Sequence, residues 1–212
     1  MTATAECFQS SLFGSEEEVT VRALGGAVQR CQLGDGAWLD VRRSWLGGAD
    51  LLFERLRRSV EWHEERRVMY KRVVDVPRLL AFFGEDEALP DESLNLAKCV
   101  LDEHYIAELG EPFRTAGLCL YRDGRDSVAW HGDRIGRGNT EDTMVAILSL
   151  GAPRALMLRP VGGGASRRYE VGHGDLVVMG GSCQRTWEHA VPKTARPIGP
   201  RISVQFRPRG VL

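Results

Sequence analysis

The sequence contains no run of about 18 to 20 uncharged apolar residues, so no segment reads as a membrane-spanning helix. The longest apolar stretches, such as 143–150, have strand length. The opening residues, MTATAECFQSSLFGSEEEV, lack a basic start followed by an apolar block, so no secretory signal and a cytoplasmic location are expected. Cysteine is sparse: Cys7, Cys31, Cys99, Cys119 and Cys183, with no Cys-x-x-Cys pair. That spacing excludes a zinc ribbon, a thioredoxin-like site and a small disulfide scaffold, and suits a reducing compartment. Lysine is rarer still, with Lys71, Lys98 and Lys193 the only three among 28 basic residues. There is no internal repeat and no low-complexity segment. With 43% hydrophobic and 27% charged residues, the chain has the composition of an ordinary globular protein rather than a disordered or fibrous one.

A chain of 212 residues reads as one domain over 1–212, long enough to bury a core without a structural metal. The net charge of −1 conceals a split. Residues 1–111 carry 13 basic and 21 acidic side chains, and residues 112–212 carry 15 and 8, so the halves stand at −8 and +7. A basic half suits a polyanion or anionic small molecules as partners; an unevenly charged, solvated surface is the plainer alternative. Nothing resembles a dimerisation helix, so a monomer is the default.

Residues 1–18 read as a loose leader with an acidic run at Glu16, Glu17 and Glu18. Short strands are expected at 19–24 and 37–41. A helix is expected over 49–61, where Leu52, Leu56 and Val60 recur four apart. A second is expected over 92–108, with Asp91 as N-cap, Gly110 as stop, and Leu94, Ala97, Leu101, Tyr105 and Leu109 on one side. Eight strand-like segments follow, at 118–122, 127–131, 144–150, 155–160, 168–171, 176–179, 186–190 and 202–206, separated by Gly- or Asp-rich turns. Their close spacing predicts an antiparallel sandwich or jelly roll, an α+β but mainly β fold, and disfavours a doubly wound parallel sheet.

Two of the five histidines stand in His-x-Asp: His131-Gly132-Asp133 and His173-Gly174-Asp175. On an extended strand residues i and i+2 share a face, so such a pair can grip one metal from one side. A distant third ligand would complete the two-His-one-carboxylate triad of non-haem iron oxygenases. The second pair is explained by the turn that opens strand 176–179. The first closes strand 127–131 and opens a Gly-rich loop, where sites tend to sit. His189 lies 58 residues beyond His131, near the end of another strand. His63 and His104 fall in charged, helical surroundings and read as solvated. Arg201 and Arg207 are six apart, an even offset that puts both guanidiniums on one strand face, able to clamp a dicarboxylate.

Together, His131-x-Asp133, His189 and Arg201-x5-Arg207 resemble the AlkB family of Fe(II)- and 2-oxoglutarate-dependent dioxygenases. YRDGRDSVAWHGD (121–133), MGGSCQRTWEHAVPK (179–193), GPRISVQFR (199–207) and VPRLLAFFG (76–84) are similar to that family's segments, in the same order. The resemblance runs from about Trp62 to Arg209. It implies a double-stranded β-helix with buttressing helices. It divides the chain into an N-terminal extension and substrate lid over about 1–90, and a helix plus jelly-roll core over 91–212. It implies His131, Asp133 and His189 as catalytic iron ligands, and Tyr121 and Arg207 as contacts to 2-oxoglutarate. Arg201 would hold the other end of that cosubstrate or help orient the metal carboxylate. Fe(II), 2-oxoglutarate and O2 are the implied cofactors. The implied reaction hydroxylates an N-alkyl group on a damaged base of the 1-methyladenine or 3-methylcytosine type, releasing formaldehyde, succinate and CO2. The implied partner is nucleic acid, single-stranded or damaged DNA, or RNA. The alternative is an oxygenase of the same chemistry acting on a small molecule or protein.

The chain departs from the family twice. Cys119 stands where many members have Asn, a better hydrogen-bond partner for the cosubstrate. Arg134-Ile135-Gly136-Arg137-Gly138 stands where many have acidic residues after the metal Asp. Arg134 and Arg137, with Arg122 and Arg125, are therefore candidates for phosphates. The segment WHEERRVMYKR (62–72) interleaves aromatics and bases, as expected of a lid that stacks an extruded base. Trp62 and Tyr70 match the family's lid aromatics approximately. For Trp62 core packing is the competing reading, because it continues the apolar side of helix 49–61. Trp187 is expected to line the pocket, and Trp38, Trp45 and Trp130 to be core.

Overall fold

A computed structural model describes residues 18–69 and 72–211. In chain order its strands and helices are β1 (Thr20–Val21), β2 (Gln29–Gly34), β3 (Ala37–Arg42), β4 (Leu46–Gly47), α1 (Ala49–Ser59), β5 (His63–Met69), β6 (Arg72–Phe83) and α2 (Glu92–Leu109). They continue with β7 (Thr115–Tyr121), β8 (Val128–His131), β9 (Val145–Gly151), β10 (Arg154–Pro160), β11 (Arg167–Val171), β12 (Asp175–Gly181), α3 (Cys183–Thr186), β13 (Trp187–Val191) and β14 (Arg201–Arg207).

Both expected helices form. α1 buries Ala49, Leu52, Phe53 and Leu56 and leaves its arginines outside. α2 buries Leu94, Ala97, Leu101 and Tyr105. Asp91 caps it, its carboxylate accepting the Ser93 N–H at 2.9 Å. Gly110 ends it with φ of 80°, a backbone state that only glycine adopts freely.

The strands pair antiparallel into an eight-stranded sheet, ordered β2-β3-β12-β9-β14-β7-β6-β5, and a four-stranded sheet, ordered β11-β10-β13-β8. The central strands of the large sheet alternate strictly. On β14, Ile202, Val204 and Phe206 join a core shared with α1 and α2, as do Ala116, Leu118 and Leu120 of β7 and Leu148 and Leu150 of β9. The intervening residues face the small sheet. Cys119, Tyr121, Val145, Ile147, Val177 and Met179 meet Leu156, Leu158, Val171 and Val191 from it in a second core. Helices, large sheet and small sheet thus form three layers, and the space between the sheets is the interior of a jelly roll.

All eight expected C-terminal strands are present. β2, β4 and α3 form where no element was expected. β5 and β6, in the segment read as a lid, pair antiparallel along the edge of the large sheet. Pro77 sits inside β6, a position that normally argues against a strand. It is tolerated because the β5 ladder shifts register between Glu64 and Arg66, and the β7 ladder begins only at Leu79. Neither neighbour needs the missing N–H. Trp38 and Trp45 are core, as expected. Trp130 is not: it is half-buried, with the Arg159 guanidinium 4.3 Å above its ring.

The Asp91 cap gives a direct check on the α2 start. Asp91→Ala is expected to lower the unfolding free energy by about 1 kcal/mol, read by denaturant melts; an unchanged midpoint would show that the cap carries no stability.

Candidate active site

Each of the three candidate ligands reaches the interior for a local reason. β8 and β13 pair His131 with His189 and Val128 with Val191, so β8 advances three residues while β13 advances two. This bulge lets both Val128 and His131 face inward, while Trp130, next to His131, faces the outside of the small sheet by ordinary alternation. Gly132 follows because a Cβ there would strike the Gln184 carbonyl at 2.7 Å. The loop then folds so tightly that Gly138 lies against the Asp133 carbonyl, with no room for a side chain. Buried Gln184 accepts the Asp133 N–H at 3.2 Å.

The ligand atoms of His131, Asp133 and His189 all lie within 4.8 Å of one another. The imidazole centroids are 4.2 Å apart. His131 Nδ1 lies 2.9 Å from the Ala129 carbonyl, which can only accept, so the proton sits on Nδ1 and the lone pair on Nε2. Nε2 in turn lies 3.7 Å from Asp133 Oδ1. The His131 side chain is 40% exposed and that of Asp133 only 6%, so His131 stands at the mouth and the carboxylate behind it.

The charges are arranged to keep this set ready for a cation. Burial pushes the Asp133 carboxyl up, but Arg207, then His189 and His131, bring it below its ordinary value. Arg207 contributes Nε and Nη2, each 3.2 Å from Oδ2. Its guanidinium lies across Gly117, where a Cβ would stand 3.0 Å from Nη1. Burial, helped by His131 and Arg207 against the pull of Asp133, takes His189 down to about 3, so its ring is neutral. Two imidazoles and one carboxylate on one side of a point fit Fe(II) and leave positions open for other ligands.

The cavity continues from this triad past Cys119, Ile147, Ser203 and Gln205 to Tyr121, Arg78 and Arg201. Arg201 is 4% exposed; its Nε donates to Ser149 Oγ at 2.9 Å, and its Nη1 is buried without a partner. A buried orphan guanidinium N–H fits a ligand carboxylate such as that of 2-oxoglutarate. Burial raises Tyr121, so its phenol stays protonated beside Arg201. Of the two arginines on β14, Arg207 is therefore the one on the carboxylate of the triad, and Arg201 marks the far end. Cys119, in place of Asn, points its thiol at Gln205 Oε1 at 3.6 Å, while Gln205 Nε2 holds Ser203.

Several expected substrate contacts lie elsewhere. Trp62 is half-buried against the helix-side core, away from the cavity, and its Nε1 donates to the Arg57 carbonyl at 3.3 Å. Tyr70 lies outside the described residues. Arg134 turns toward Glu188, Nη2 to Oε1 3.8 Å, with Nε and Nη2 buried and unsatisfied. Arg137 is held by Glu111 and Glu141, Arg122 by Asp126 and Arg125 by Asp123. Trp187 packs into the inter-sheet core. The sequence reading did not find Gln205, which alternation on β14 places inward, nor Phe82. Phe82 is 54% exposed and lies between Ala81 and Phe83, which pack on the helix side, so it shares the cavity's face beside Gly117. The second pair is structural: His173 Nδ1 accepts the Gly151 N–H at 2.7 Å, and Asp175 accepts the Gly172 and Ser44 N–H groups.

Asp133→Ala is expected to weaken Mn(II) binding by more than the roughly 10–100-fold typical of losing an outer partner of a metal ligand. His173→Ala should bind Mn(II) like the parent. Calorimetric titration decides, and the reverse pattern would move the metal to the second pair.

The Bos taurus protein "Alpha-ketoglutarate-dependent dioxygenase alkB homolog 3" is 31% identical over 186 residues, covering 76% of this chain and 64% of the relative. The chain thus spans just under two thirds of that protein's length. The Arabidopsis thaliana protein "DNA oxidative demethylase ALKBH2" is 33% identical over 135 residues, covering 52% of this chain and 42% of the relative. Among solved structures, "The structure of OsALKBH1" superposes with a TM-score of 0.61 at 12% identity, covering 85% of this chain and all of the other, a likeness of fold. The family model that matches residues 47–207 takes in every strand carrying the triad and the cavity, and by that match the chain belongs to the 2OG-Fe(II) oxygenase superfamily.

Proposed function

We propose that the protein is an Fe(II)- and 2-oxoglutarate-dependent dioxygenase that removes N-linked alkyl groups from nucleic-acid bases, of the 1-methyladenine and 3-methylcytosine type. The observation that carries this is the convergence of His131, Asp133 and His189 to within 4.8 Å at the mouth of one cavity whose far end holds Arg201 with its Nη1 buried and unpartnered. The name of the Arabidopsis thaliana relative, a DNA oxidative demethylase, and the basic C-terminal half support a nucleic acid as substrate.

In this reading His131 Nε2, Asp133 and His189 hold Fe(II), and Tyr121 and Arg201 hold the remote carboxylate of 2-oxoglutarate. Bound there with O2, these groups supply the oxidising power that hydroxylates the N-alkyl carbon, with succinate, CO2 and formaldehyde as products. The protein's own part is electrostatic and steric. Arg207 keeps Asp133 ionised. The Ala129 carbonyl fixes the His131 tautomer. Val145, Ile147, Leu156, Val177 and Val191 line the cavity with apolar surface that excludes water from its depth. A base must leave the stack to reach such a recessed site. The exposed Phe82 ring on the cavity side offers a surface for it to stack on.

The test is formaldehyde release from a single-stranded oligonucleotide bearing one 3-methylcytosine. Release that requires Fe(II) and 2-oxoglutarate, and falls at least ~100-fold in Asp133→Ala, is expected. Succinate formed at the same rate with or without the oligonucleotide, and no formaldehyde, would instead favour a small-molecule or protein substrate.

A further inference from the structure

The closed end of the cavity holds more positive charge than Arg201 alone accounts for. β6, β7 and β14 lie side by side, and the β6–β7 ladder pairs Leu79 with Leu120 and Leu80 with Cys119. Continued by one residue, that register sets Arg78 beside Tyr121. The β7–β14 ladder sets Tyr121 opposite Arg201. Directly paired residues share a sheet face. Arg78, Tyr121 and Arg201 therefore form a row across three strands, and all three line the cavity.

Among the described residues no carboxylate pairs with either guanidinium. Arg78 donates from Nη1 to the Ser127 carbonyl at 3.2 Å, and its Nε is buried without a partner. Arg201 Nη1 is orphaned in the same way. Buried donors on charged groups are costly to leave unmade, so two of them in one cavity describe the complement of an anion. Arg154 also approaches the Tyr121 ring, at 5.5 Å, but the Asp123, Asp126 and Pro192 carbonyls satisfy it. The backbone of the row lies six residues along β14 from Arg207, about 20 Å at strand rise, but its side chains reach back into the same cavity as His131 and Asp133. An anion held by the row sits behind the metal, where a cosubstrate belongs, rather than in front of it with the substrate.

We propose that Arg78 is a second cosubstrate-binding arginine, gripping with Arg201 the carboxylate of 2-oxoglutarate remote from the metal. This rests on the 2-oxoglutarate reading of the cavity. Arg78 belongs to the β5–β6 hairpin, which is pinned at this point by the Ser127 N–H on the Pro77 carbonyl at 2.8 Å. Cosubstrate loading thereby adds a further tie between the hairpin and the jelly roll.

Anaerobic titration of the Fe(II) protein with 2-oxoglutarate, followed by charge-transfer absorbance, reads cosubstrate binding without turnover. Arg78→Gln should raise the Kd at least about ten-fold, and Arg78→Lys should recover part of the loss. Binding of 2-oxobutyrate, which keeps the 2-oxo acid head and lacks the remote carboxylate, should be the same in parent and Arg78→Gln. Amide exchange over 63–83 should slow when 2-oxoglutarate is added to the Mn(II) parent and stay fast in Arg78→Gln. An unchanged 2-oxoglutarate Kd in Arg78→Gln, or an equal loss for both 2-oxo acids, would overturn the assignment. A parent protein that binds no 2-oxoglutarate would overturn the cosubstrate reading itself, a result distinct from a parent that binds and a variant that matches it.

Discussion

The site depends on keeping one buried carboxylate ionised. Asp133 is 5% exposed, and an isolated charge at that depth would take up a proton rather than stay charged. Arg207 prevents this from the end of β14, and its path requires Gly117 on the neighbouring strand. The backbone that delivers Asp133 requires Gly132 and Gly138 and is tied by Gln184. A buried ion pair is a poor source of stability, and replacing it with apolar groups is often neutral or better. Its presence here makes sense as a preformed anionic ligand, at an expense the two apolar cores can offset.

The opposite end of the cavity shows the complementary condition. At the mouth a negative group is matched by a positive one within the chain. At the closed end the guanidiniums have no such match among the described residues, and an anion from outside would complete them. A cavity with a paired anion at one end and unpaired cations at the other is polarised for a ligand that coordinates a metal with its head and carries negative charge on its tail. The apolar walls between strengthen both interactions by excluding water.

Much of this was legible in the sequence because it follows from period. Alternation on β14 and β7 separates a core face from a polar face, and His131-x-Asp133 needs only the two-residue repeat of a strand. The two helices announced themselves through Asp91, Gly110 and their apolar spacing. What stayed hidden depends on neighbours in space. The β8 bulge that turns Val128 inward together with His131 appears only when Val128 and Val191 are seen to pair. The β5–β6 hairpin was obscured by its charges and by Pro77, which is harmless only because both flanking ladders skip it. Arg78 looked like one arginine among 25 until the register set it beside Tyr121. Arg134, read as a substrate contact from its place in the loop, is turned toward Glu188 by that loop's tight path around Gly132.

The most direct test of the account is a crystal structure of the Mn(II) and 2-oxoglutarate complex, with the metal located by anomalous scattering. The account predicts manganese bound by His131 Nε2, His189 and Asp133 Oδ1, with Arg207 still on Oδ2. Manganese bound elsewhere, with the His131, Asp133 and His189 set left empty, would contradict it.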